Sequence, residues 1–126
     1  MDDNQAFAES MRLFLELCKD ELDLEKLPKI IWLTTGGISG AHPTFGMFSN
    51  KDQVIRIEIK NRHPLDIMRT LAHELVHYKQ WLKKELNSKS GETGSPQENQ
   101  AHAVAGIIMR HFDRAHPELF KSNPVG

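Results

Sequence analysis

Residues 70–81 read TLAHELVHYKQW, with His73, Glu74 and His77 spelling H-E-L-V-H at the centre. Around them Met68, Leu71, Ala72, Leu75, Val76 and Leu82 recur at steps of three and four. That period places the stretch inside an amphipathic helix, expected over about 65 to 86, with an apolar stripe facing a core. Pro64 suits the helix opening, and Asp66 sits in the first turn, where the helix dipole favours a carboxylate.

On a helix, residues four apart stand one turn above each other on the same face. His73 and His77 can therefore aim ring nitrogens at one point, about 2.0–2.1 Å from each if a zinc ion occupies it. Glu74 is rotated by about 100° from His73. It flanks the ion without ligating it and reaches a water beside it, so H-E-x-x-H carries two ligands and one base on a single rigid element. The bland alternative is a helix with two surface histidines and an unrelated glutamate. The apolar stripe argues against it, because it leaves these polar groups half-buried, which is costly unless something binds them.

Working outward, residues 5–21 predict an amphipathic helix through Phe7, Met11, Phe14, Leu15 and Cys18. Residues 29–35 (KIIWLTT) predict a short strand between Pro28 and the glycine-rich loop 36–43. Residues 44–49 and 54–59 predict a hairpin around the polar turn 50–53. In the second arm, Val54-Arg56-Glu58 alternates with Ile55-Ile57-Ile59, which predicts a strand buried on one face and exposed on the other. Residues 87–97 are polar and rich in Gly and Ser, and a last helix is expected over about 97 to 112. The coarse class is α+β in one domain spanning 1–126, with the H-E-L-V-H helix beside a short mixed or antiparallel sheet.

A catalytic zinc ion has three protein ligands and an open position. The third ligand must come from Glu92, Glu98, His102, His111 or His116. Glu98 is best placed. It opens the last helix after Ser95-Pro96 and shares a face with Ala101, Ala105 and Met109, small enough for close packing on the first histidine helix. His102, one turn on, is either the alternative ligand or a group touching substrate. Tyr78 and His42 are further candidates for contact with a substrate or transition state, although packing suits Tyr78 better and a plain loop position suits His42 better. His63 reads as a surface or capping residue.

Composition narrows the classes. Lys+Arg number 16 against Asp+Glu 17, so no nucleic-acid surface is expected. No run nears the roughly 18 apolar residues of a membrane span, and MDDNQAFAES is too acidic for a secretory signal. With the single Cys18 read as a buried apolar side chain, a cytoplasmic protein is the simplest expectation.

The segments H73-E74-L-V-H77 and E98-N-Q-A-H-A-V-A-G-I-I-M109 together resemble a minimal zincin metallopeptidase. The second segment is similar to the third-ligand helix of ImmA/IrrE-type zincins, and HELVHYKQW is similar to SprT-like proteins. The likeness covers about 60 residues and lacks the extra DNA-binding, zinc-ribbon or sensor segments of those groups. It implies Zn²⁺ held by His73, His77 and Glu98, with Glu74 as general base. It also implies a peptide or protein substrate extended along a sheet edge, either 54–59 or its partner arm.

Overall fold

The computed structural model describes residues 3–34, 45–84 and 95–117. Helix α1 covers Asp3–Glu21, α2 Pro64–Leu82 and α3 Pro96–Ala115. Strand β1 covers Lys29–Leu33, β2 Gly46–Ser49 and β3 Val54–Glu58. The chain is thus α+β, with a mixed sheet in the order β1-β3-β2. β1 runs parallel to β3, pairing Lys29 with Val54 and Leu33 with Glu58. β2 runs antiparallel to β3, pairing Gly46 with Ile57 and Ser49 with Val54.

Local chemistry sets the element ends. His63 caps α2 by accepting a hydrogen bond at Nδ1 from the Leu65 N–H at 3.1 Å, and Pro64 follows at a position whose N–H would be unpaired in any case. The expected end at 86 is too late. The helix stops at Leu82 because Lys84 takes a left-handed φ of 60°, which no α-helix continues through. Leu82, assigned to the core stripe on periodicity, is 48% exposed, since the packed part of the helix has ended there. α3 opens one residue earlier than expected and runs on to Ala115.

The core forms where the three helices and the sheet meet. Ile67, Leu71, Ala72 and Leu75 of α2 are fully enclosed, with Ala101, Ala105 and Ile108 of α3 and Ile55 and Ile57 of β3. Phe14 of α1 meets Phe112 of α3 edge-on, with ring centroids 5.2 Å apart. Cys18 is buried in the same cluster.

The expected half-exposed character of β3 does not hold. Val54 and Glu58 on the face read as polar are buried, at 7% and 1% exposure. β3 is the central strand, so both its edges are covered, and alternation alone does not reveal that position. β2 is therefore an outer strand, and it lies directly on α2. A Cβ placed on Gly46 would stand 2.4 Å from Thr70 Cγ2 and 3.3 Å from Glu74 Cγ, so this approach requires glycine. Among the described residues, no helix is long and apolar enough to cross a membrane.

Candidate metal centre

His73 and His77 leave α2 one turn apart, and Glu98 leaves the first turn of α3. Ser95 fixes that turn, its Oγ accepting a hydrogen bond from the Glu98 N–H at 3.1 Å. The buried Ala101 and Ala105 let α3 lie close against α2. As a result the Glu98 carboxylate stands across both rings. Its Oε1 is 2.7 Å from His73 Nε2, and its Oε2 is 3.1 Å from His77 Nε2.

One donor atom from each of the three lies within 4.8 Å of the others. Among the described residues, no other group of three His, Cys, Asp or Glu side chains comes together in this way. The three side chains are 15%, 12% and 19% exposed, sheltered but reachable. Two imidazole nitrogens and a carboxylate oxygen suit a borderline divalent cation such as zinc, and they leave a tetrahedral ion one position short. Burial lowers the pKa of His73, more than Glu98 raises it back, so the ring favours the neutral form that a metal ligand needs.

Glu74 is 9% exposed and stays off the donor set. Its Oε1 accepts a hydrogen bond from the backbone N–H of Phe48 in β2 at 3.1 Å. Burial pushes the carboxyl up to about 7; Glu98 adds to the rise, while His77 and the Phe48 N–H pull it down.

The other expected residues divide. His102 Nε2 is 3.6 Å from Glu98 Oε1 and its ring centroid is 4.6 Å from that of His73, but its side chain is 71% exposed, at the open rim. Tyr78 is 1% exposed, edge-on to Phe48 and stacked against Trp81. It also lines a cleft of about 350 Å³ with residues of 23–26, Lys79, Leu82 and Lys83, which shares no residue with the donor set. His111 is hydrogen-bonded to Glu21 at the end of α1, and the His116 ring packs on Phe112. Neither joins the donors. His42 and Glu92 lie outside the described residues.

Two participants escaped the sequence reading. The Phe48 N–H is a main-chain donor and has no residue signature. Gln80 did leave a signal, standing three residues after His77 on the same helical face. Its Oε1 is 2.8 Å from His77 Nδ1.

Comparison of the chain with family models, with curated proteins and with solved structures gives no match.

Proposed function

We propose that this protein is a zinc-dependent metallopeptidase of minimal zincin type. The observation that carries the reading is the convergence of His73, His77 and Glu98 on one point, with a buried carboxylate, Glu74, beside it and outside the ligand set. His73, His77 and Glu98 would hold the ion. When bound, it supplies Lewis acidity, which polarises a peptide carbonyl and acidifies water.

The chain's own groups do the rest. Glu74 takes a proton from the water that adds to the peptide carbonyl, then gives it to the departing amine. The Phe48 N–H holds Oε1, so the second carboxylate oxygen carries the proton. Burial in the metal-free protein favours the protonated carboxyl, which suits Glu74 to taking up a proton. β2 is an outer strand in contact with Glu74, so a peptide lying extended beside it would pass the base. His102, at the rim, is placed to touch bound substrate.

The test is hydrolysis of an unfolded protein substrate such as casein by the zinc-loaded protein and its Glu74→Gln variant. Hydrolysis by the wild type, with a loss of about 100-fold or more in a variant that still binds one zinc ion, supports the reading. A variant that cleaves at the wild-type rate overturns it.

A further inference from the structure

Gln80 is a polar side chain at 1% exposure, one turn beyond His77 and facing α3. Its amide nitrogen donates to the backbone carbonyl of Gln97 at 3.0 Å and to Gln100 Oε1 at 2.7 Å. The first of these bonds fixes the amide. A backbone carbonyl only accepts, so the Gln80 atom facing it must be the NH₂ group. The other end of the same amide, Oε1, then faces His77 Nδ1 at 2.8 Å. An amide oxygen only accepts, so Nδ1 must carry the proton.

We infer that Gln80 is the positioning residue of the site. It holds a proton on His77 Nδ1 and so leaves Nε2, which faces the Glu98 carboxylate, as the nitrogen that would bind the ion. The inference rests on the metal reading for its purpose, but not for its chemistry. Nε2 and the Glu98 carboxylate oxygen 3.1 Å away attract only with a proton or a metal ion between them, so the lock presents Nε2 to a cation at this point. It also ties the two helices that supply the ligands. Gln80 joins an α2 histidine to the first turn of α3, one residue from Glu98, so ligand orientation and helix spacing are set by one amide.

The test reads the nitrogens of His77 by NMR of ¹⁵N-labelled protein, together with zinc affinity by competition with a chelator. In metal-free wild type the His77 Nδ1 should show the shift of a protonated nitrogen. An unprotonated Nδ1 overturns the inference without any variant having to fold. Gln80→Met should move that proton toward Nε2 and weaken zinc binding by roughly 10- to 100-fold. Gln80→Glu, which keeps an acceptor, should retain Nδ1–H. Equal zinc affinity in wild type and Gln80→Met, with both folded, also overturns it. A protonated Nδ1 in a wild type that binds no zinc supports the lock and sinks the metallopeptidase reading instead, so the two failures are distinguishable.

Discussion

The backbone N–H of Phe48 donates to Glu74 Oε1 at 3.1 Å, so an outer strand of the sheet holds the carboxylate beside the two histidines. The bond links residues 26 positions apart. It makes the position of β2 on α2 part of the site's geometry.

Gly46 is where that position is most easily disturbed. Gly46→Ala puts a methyl group 2.4 Å from Thr70 Cγ2, and the strand or the helix must give way. The expected loss is about 1–3 kcal/mol in denaturant unfolding. Thr70→Ser removes that methyl group while keeping the hydroxyl that accepts from Arg62 at 2.7 Å. The double variant should recover much of the loss. Strict additivity of the two substitutions would show that the contact is not the cause.

Glu74 should weaken the metal-free protein at neutral pH. Its folded pKa, about 7, lies above its ordinary 4.5, so the folded state holds the proton more tightly than the unfolded chain does. The stability this gives is present in full below about 4.5 and is lost as pH rises through 7. Glu74→Gln keeps an acceptor for the Phe48 N–H and has no charge to bury. The metal-free variant should exceed the wild type by on the order of 1–3 kcal/mol at pH 8, with a smaller gap at pH 4.5. Thermal melts at the two pH values check this, and a gap that does not widen with pH would count against a carboxylate that burial keeps from ionising.

Glu98 and His102 should differ sharply. Glu98→Ala removes the carboxylate that spans both rings and should weaken zinc binding by at least about 100-fold. His102→Ala removes a side chain that is 71% exposed and should change affinity by less than about tenfold. Chelator competition measures both. A large effect of His102→Ala would mean a fourth protein ligand and a closed, non-catalytic site.

Cys18 should be chemically silent in the native protein. Burial pushes its thiol far above the ordinary range, with the nearby Glu21 adding to the rise. Because the raised value belongs to the folded state, the stability it gives is complete below about 8.5, and it declines at higher pH as the unfolded thiol ionises. A thiol reagent should label the protein only after denaturant is added. Rapid labelling of the native protein would contradict the burial.

Much of the site was legible in the sequence because helices repeat at a fixed period. The spacing of His73 and His77 and the apolar stripe beside them gave α2 its inward face, and Ser95-Pro96 followed by Glu98, Ala101 and Ala105 marked a second helix able to pack closely. The sheet was less legible. Alternation in 54–59 reports two faces but not what lies at either edge, so β3 read as half-exposed when it is central. The Phe48 N–H left no trace, since a main-chain donor has no residue type. Gln80 was readable in principle from its place one turn past His77, but a glutamine on a helix declares a partner only once α3 is set against it.

The most direct test of the central claim is X-ray absorption at the zinc edge of the zinc-loaded protein, with stoichiometry measured on the same sample. The expected result is one zinc ion per chain with two imidazole nitrogens, a carboxylate oxygen and a further oxygen from water, and loss of that signal in His77→Ala. A chain that takes up no zinc, or one whose zinc environment is unchanged in His77→Ala and Glu98→Ala, would contradict the account.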